Sequence, residues 1–123
     1  MKQLLLSILL TLIATGANAW EDWSTSDRQL FVASSVAITA DWATTRWAAR
    51  NNWPNNTYET NAFMGRSPTV SRVDNHFVVV LISNYIVADL LPKDYRGMYL
   101  TFRTVTHGYA AHRNVEMGWQ IKF

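Results

Sequence analysis

A long apolar stretch lies near the middle of the chain, from Phe77 to Leu91. Counted from Val73, it is about as long as a helix that crosses a membrane, for which roughly 17–25 residues are needed. A buried helix of a soluble bundle has the same pattern, and a short apolar run can also begin a buried strand. Pro92 ends the stretch, and Ser and Thr residues stand before it where a helix is capped. The pattern predicts a helix over residues 70–91.

A second helix is predicted before this stretch, over residues 27–50. Small residues dominate one of its sides, which suits close approach between helices. Ser34, Asp41 and Thr45 recur at spacings of seven and four, so they form a polar stripe that includes an acid deep within the helix. In a membrane Asp41 would have to face a partner or water, whereas in a soluble bundle it would lie on the wet face.

A third helix is predicted over residues 97–116, with Arg103, His107 and Asn114 on one face. The last six residues of the chain alternate between apolar and polar, as in a short strand. Five tryptophans lie near the predicted helix ends, where aromatic residues anchor membrane proteins at the interface: Trp20, Trp23, Trp47, Trp53 and Trp119. The sequence therefore predicts an all-α fold, a small bundle of about three helices that is membrane-embedded or membrane-associated.

The start of the chain has the layout of a secretory signal peptide. A short positive beginning is followed by the apolar run Leu4 to Ala14, and Ala17-Asn18-Ala19 matches the A-x-A cleavage pattern. We expect cleavage after Ala19, which divides the chain into a signal peptide at residues 1–19 and one helical domain at residues 20–123. Removal of Lys2 lowers the formal net charge of +2 by one.

Composition excludes several classes of function. The nearly neutral domain has no clustered stripe of Lys and Arg, so we expect no nucleic-acid partner. Cysteine is absent, which excludes disulfides and thiol chemistry. His107 and His112 are five residues apart and point to different helix faces, so they make a poor metal pair. The chain also lacks the usual catalytic motifs and glycine-rich phosphate loops, and we expect no enzyme, metal or cofactor.

Several spaced residues resemble a group of small uncharacterised helical membrane proteins of bacteria and phages. In that group an Asp-x-x-(Gln)-Thr helix precedes a Glu-x-Asn-Pro turn that ends in glycine, and a long apolar helix follows. Here Asp41-x-x-Thr44 precedes Tyr58-Glu59-Thr60-Asn61 and Gly65-Arg66, and Ala62 stands where the group usually has proline. The resemblance covers roughly residues 38–92 and implies a small helical membrane protein, with Glu59, Asn61 and Gly65 as the residues of the motif turn.

Four polar residues are candidates for a network between the helices: Asp41, Asn84, Arg103 and His107. A pair of Asp41 with Arg103 or with His107 would neutralise two groups that are costly to bury and would fix the helix register. A structural network is the favoured interpretation. The alternative is a proton or ion relay, because ionisable groups inside membranes are functional hypotheses by default.

The first functional hypothesis is a small exported membrane protein of the bacterial envelope, in the inner membrane, with a structural or protein-interaction role. Its expected partners are membrane lipid and another envelope protein or a second copy of the chain, and a phage or prophage origin is compatible with it. The alternatives are a soluble periplasmic helical module that binds or inhibits another protein, and a membrane subunit that relays protons or ions. If all three helices span the membrane, the arginines concentrated between residues 46 and 72 would place that loop in the cytoplasm by the positive-inside rule.

Overall fold

A computed structural model describes residues 22–123, so the predicted signal peptide lies outside the described residues. The described chain forms three α-helices, α1 (Thr25–Arg50), α2 (Val70–Leu90) and α3 (Lys93–Glu116), with one short 3-10 turn at Pro54–Asn56. No residue between 22 and 123 forms a strand, and this includes the alternating last six residues. The prediction of an all-α fold with three helices is confirmed.

Helix α1 begins at a capping box. The Ser24 hydroxyl accepts a hydrogen bond from the Asp27 N–H at 3.0 Å, and the Asp27 carboxylate accepts one from the Ser24 N–H at 3.3 Å. Two N–H groups that the helix leaves unpaired at its start are thereby satisfied. At the other end, Asn51 donates its own N–H to the carbonyls of Trp47 and Ala48.

Helices α2 and α3 are joined by Leu91 and Pro92 alone. The Pro92 carbonyl accepts hydrogen bonds from the N–H groups of Tyr95 and Arg96, so α3 begins at Lys93, four residues before the start predicted from Gly97. Proline ends one helix and directly precedes the next because its fixed φ suits a helix start while its missing N–H prevents continuation of the previous helix. The link is too short for anything except an antiparallel pair.

Helix α1 packs against both other helices, and it runs antiparallel to α2 and parallel to α3. Two apolar clusters lie along it. The first lies near the end where α2 begins, and the second lies near the end where α1 begins. The buried members of the first cluster are Ile38, Trp42, Met64, Val73 and Phe77. Those of the second are Trp23, Phe31, Ala88 and Leu100.

Two tryptophans that the sequence predicts as interfacial anchors lie inside the protein instead. Trp23 stacks on Tyr85 and contacts Phe31 edge-on, and its indole N–H donates to the Asp89 carboxylate. Trp119 is equally buried. The anchor interpretation is wrong for these two residues, because packing within the bundle uses the apolar rings that an anchor would present to lipid.

Polarity is distributed across the bundle in an unusual way. The buried residues include many polar and charged ones: Asp27, Ser34, Asp41, Thr44, Thr45, Asp74, Asn84, Arg96 and Asn114. The outward faces of the three helices are conversely rich in large apolar residues, which we call the apolar belt: Val32, Val36, Val79, Ile82, Ile86, Val87, Met98, Phe102, Val105 and Tyr109. The polar stripe of α1 that the sequence predicts therefore faces the interior.

Candidate functional site

A cleft of about 430 Å³ opens at the end of the bundle where α1 and α3 end and α2 begins. All three helices and the turn around Glu59 contribute to its walls. Asp41, Glu59, His76 and His107 line it together, so it combines two carboxylates with two imidazoles. No group of three His, Asp or Glu residues in the described part of the chain has the geometry of a metal site.

Asp41 lies at the centre of the polar contacts in this cleft. One carboxylate oxygen, Oδ2, is 2.7 Å from His107 Nδ1, and the other, Oδ1, lies 3.3 Å from the side-chain amide of Asn114. Because a carboxylate only accepts hydrogen bonds, the proton of this contact sits on His107 Nδ1. Asn114 also donates to Thr44 Oγ1 at 2.8 Å. Of the two pairs that the sequence leaves open for Asp41, the structure has the one with His107.

The motif turn is held by the side chains that the resemblance singles out. Glu59 Oε1 accepts a hydrogen bond from the Asn61 N–H at 2.8 Å, and Asn61 Oδ1 accepts one from the Phe63 N–H at 3.0 Å. The Asn61 carbonyl accepts hydrogen bonds from the N–H groups of Met64 and Gly65. Gly65 has a φ of +80°, which strongly favours glycine. The residues of the motif, Glu59, Asn61 and Gly65, therefore all belong to one turn and help to hold its shape.

Asn61 also links the turn to α2, because its side-chain nitrogen lies 3.2 Å from His76 Nε2. The Asn61 oxygen is already fixed toward the Phe63 N–H, so the amide donates and His76 Nε2 accepts. His76 is thus held as a neutral ring with its proton on Nδ1.

Ala62, where the group usually has proline, occupies the second position of a turn closed by the Asn61 carbonyl and the Met64 N–H. Proline is favoured at that position, since its fixed φ suits both common turn types and no N–H is needed there. Proline would therefore suit this turn, although the described chain forms it without one.

Burial raises the pKa of the Glu59 carboxyl above its ordinary value, and the negative charge of Asp41 raises it further, while the hydrogen bond from the Asn61 N–H opposes both effects. Glu59 uses one oxygen for that hydrogen bond. A hydrogen bond from the Thr60 N–H also opposes the rise in the pKa. A carboxylate can accept about four hydrogen bonds, so the Glu59 carboxyl retains acceptor capacity toward the cleft.

Two of the predicted network residues lie elsewhere in the bundle. The Asn84 amide donates to Ser34 Oγ at 2.9 Å, and its own oxygen is buried without a partner. Arg103 Nε is likewise buried without a hydrogen-bond partner, and no ion pair joins Arg103 to Asp41 in the described chain. Of the four candidates, Asp41 and His107 form one contact, while Asn84 and Arg103 lie closer to the middle of α2 and α3.

Sequence reasoning missed a second buried carboxylate near the cleft. Asp74 accepts hydrogen bonds from Arg46 Nε at 2.9 and 3.2 Å and from Trp42 Nε1 at 2.8 Å. Arg46 and Trp42 lie one turn apart on α1, which is the spacing that lets two side chains meet one partner, but nothing in the sequence indicates which partner.

A more open hollow of about 810 Å³ lies around Trp53 and Arg66. The Arg66 guanidinium already lies over the Tyr58 ring, 4.4 Å from its centroid. The cleft at Asp41, rather than this hollow, collects the titratable side chains.

Comparison of the chain with protein-family models, with curated proteins and with solved structures finds no match.

Proposed function

We propose that this chain is a small exported membrane protein of the bacterial envelope, embedded through its three helices, with a structural or protein-interaction role. The observation that carries the proposal is the combination of a polar interior with the apolar belt. A soluble bundle places apolar residues inside because their burial drives folding. In lipid the outside must be apolar, and polar side chains are accommodated by facing the bundle interior and pairing there.

The distribution of charge along the helices supports the same proposal. Between Gln29 and Arg50 the exposed residues of α1 are Val32 and Val36 alone, over a length of roughly 30 Å. On α3 no exposed residue between Asp94 and His112 is charged, over roughly 25 Å. The hydrocarbon core of a bilayer is about 30 Å thick. The uncharged surface is therefore close to the height that a membrane requires.

Helix α2 is the one described helix that is long and apolar enough to cross a membrane by itself. Only 28% of the most apolar window of this helix is buried, whereas the core helix of a soluble protein would be mostly buried. Helices α1 and α3 have a lower mean hydropathy because of the polar residues that they turn inward. Mean hydropathy counts all sides of a helix and does not distinguish the inward side from the outward side.

The two ends of the bundle differ in charge, which supports an orientation. The end that holds the cleft carries five exposed basic residues: Arg50, Arg66, Arg72, Arg113 and Lys122. At the opposite end the acids outnumber the basic residues. By the positive-inside rule the cleft end would face the cytoplasm. A cleaved signal peptide would leave the start of α1 outside, which agrees with this orientation.

A proton or ion relay is the weaker proposal. The contact between Asp41 and His107 favours it, since both groups can exchange protons in an accessible cleft. Toward the other end of the bundle, however, the interior holds the guanidinium groups of Arg103 and Arg96. Fixed positive charges along a pathway raise the barrier to protons and other cations.

Carbonate extraction of bacterial membranes tests the membrane proposal. We expect the mature chain to stay in the membrane pellet, because an embedded bundle is not released at high pH. Release into the soluble fraction would contradict the proposal and favour the soluble periplasmic module.

A matched pair of valines on α3 tests the apolar belt itself. Val105 lies in the belt and is 63% exposed, and Val115 lies beyond the belt, near the end of α3, and is 46% exposed. We expect Val105→Lys to reduce the membrane-inserted fraction strongly, since lysine at the centre of a membrane helix costs roughly 2.5–3.5 kcal/mol. Val115→Lys should insert like the wild type. Equal insertion of both variants would mean that the belt does not face lipid.

A further inference from the structure

Two groups in the cleft wall can accept a hydrogen bond from a ligand: the Glu59 carboxylate and His107 Nε2. The Glu59 carboxylate has acceptor capacity beyond its bonds to the Asn61 and Thr60 N–H groups. His107 binds Asp41 through Nδ1, so its Nε2 accepts hydrogen bonds while the ring is neutral. Both positions favour a ligand that donates hydrogen bonds.

The charge of the cleft calls for a cation. Asp41 and Glu59 lie close enough for the negative charge of Asp41 to raise the pKa of Glu59. Arg113, which lines the cleft, is already bound to Glu116 at 2.9 Å, and the buried Arg103 lies behind the wall, near enough for its charge to act on His76. A positive charge between the two acids would relieve their repulsion, whereas an anion would be repelled by both.

Part of the remaining wall is apolar and aromatic. Tyr109 and Met117 are exposed there, whereas Phe77 and Met64 are almost fully buried behind them. Aromatic faces attract cations, and methionine adapts to irregular shapes. The volume of about 430 Å³ is within the range of roughly 300–1,000 Å³ that small-molecule pockets occupy. A bare metal ion would leave most of this space empty, and the described residues do not provide metal geometry.

We propose that the cleft binds a small organic ammonium ion with at least one N–H group and an apolar body. The ammonium donates hydrogen bonds to the Glu59 carboxylate and His107 Nε2, and the apolar body packs against Tyr109 and Met117. Asp41 is a positioning residue, since it orients His107 without a free oxygen of its own. This inference goes beyond the proposed role in the membrane and does not depend on it.

The test is titration calorimetry on the purified full chain in detergent, at neutral pH, with three probes of similar shape. Phenethylammonium has both the charge and the N–H groups, its N,N,N-trimethyl derivative has the charge alone, and phenethyl alcohol is neutral. We expect phenethylammonium to bind at least roughly tenfold more tightly than either of the others, which is the effect of losing one charge-assisted hydrogen bond. Absence of phenethylammonium binding, or equal binding of all three probes, would overturn the proposal.

A variant identifies the site. We expect Glu59→Gln to weaken phenethylammonium binding by roughly tenfold or more, because glutamine removes the charge while its amide oxygen can still accept the hydrogen bond from the Asn61 N–H. The matched control is Asp94→Asn, which removes an exposed acid from the opposite end of the bundle and should leave binding unchanged. Equal binding by wild type and Glu59→Gln would place the ammonium elsewhere and overturn the assignment. The probe comparison on the wild type stands even if a variant folds poorly.

Discussion

Two buried aspartates lie at the same end of the bundle, and their surroundings differ. Asp74 is bound by Arg46, whose charge is permanent, and by the indole N–H of Trp42. Asp41 is bound by His107, whose charge depends on protonation, and by the amide of Asn114. The Asp74 contacts close off a packed region next to Phe77, whereas the Asp41 contacts form one wall of a cleft.

The difference separates a structural carboxylate from one that is available for function. A carboxylate with a permanent counter-charge and a further donor has its hydrogen-bonding capacity used within the protein. A carboxylate paired with histidine orients a ring and leaves its second nitrogen outside that contact, which is an arrangement suited to binding or proton exchange. The type of partner, more than the presence of a buried acid, distinguishes the two sites.

The largest effect should follow from breaking the structural site. We expect Asp74→Asn to lower the free energy of unfolding by about 3 kcal/mol, because asparagine leaves the partly buried guanidinium of Arg46 without its counter-charge. Chemical denaturation of the purified chain measures this change. The double variant Arg46→Gln/Asp74→Asn should recover part of the loss. A loss below about 1 kcal/mol, the size expected for an exposed pair, would mean that Asp74 is no more structural than a surface acid.

A smaller effect is expected at the cleft. Asp41→Asn should lower the free energy of unfolding by only about 1 kcal/mol, the net value of one hydrogen bond, because a neutral His107 needs only an acceptor and asparagine supplies one. The same denaturation experiment measures it, with Asp94→Asn as the control for loss of an acid. A loss as large as that of Asp74→Asn would show that His107 is charged in the folded chain and would remove the distinction between the two aspartates.

The smallest and most specific effect is the contribution of Glu59 to the pH dependence of the free energy of unfolding. Because its pKa is raised on folding, the folded chain holds this proton more tightly than the unfolded chain does. The contribution of Glu59 to stability is therefore greatest below the ordinary glutamate pKa and declines as the pH rises through the raised value. Glu59→Gln does not titrate, so we expect the variant to gain stability relative to the wild type across that interval.

Unfolding measured at several pH values between 4 and 8 checks this expectation. Asp41, His76, His107 and Arg66 also surround Glu59, but they are present in both chains, so the difference between the chains isolates Glu59. Asp94→Asn, on the exposed surface at the opposite end of the bundle, is the control for loss of an acid. A difference that stays constant with pH, or that changes in the opposite direction, would show that burial does not raise the pKa of Glu59.

The local parts of the candidate site were predictable from the sequence. The hydrogen bonds of Glu59 and Asn61 each span two residues, and Gly65 takes the positive φ that glycine tolerates. All three residues therefore belong to one short turn, which local sequence can indicate. The contact between Asp41 and His107 joins residues 66 positions apart. The sequence reduced it to two alternatives because helical spacing shows which residues share a face, but not which faces meet. The pairing of Asp74 with Arg46 was not predicted for the same reason.

The sequence by itself determined the three helices, since apolar periodicity, capping residues and Pro92 act over a few residues each. It also determined that α1 carries a polar stripe through Asp41. Only the tertiary structure decided that this stripe faces inward and that the large apolar residues of α2 and α3 face outward. Helical periodicity defines two faces without showing which is covered. That depends on how three helices share their contacts, and here the polar side chains find partners inside the bundle.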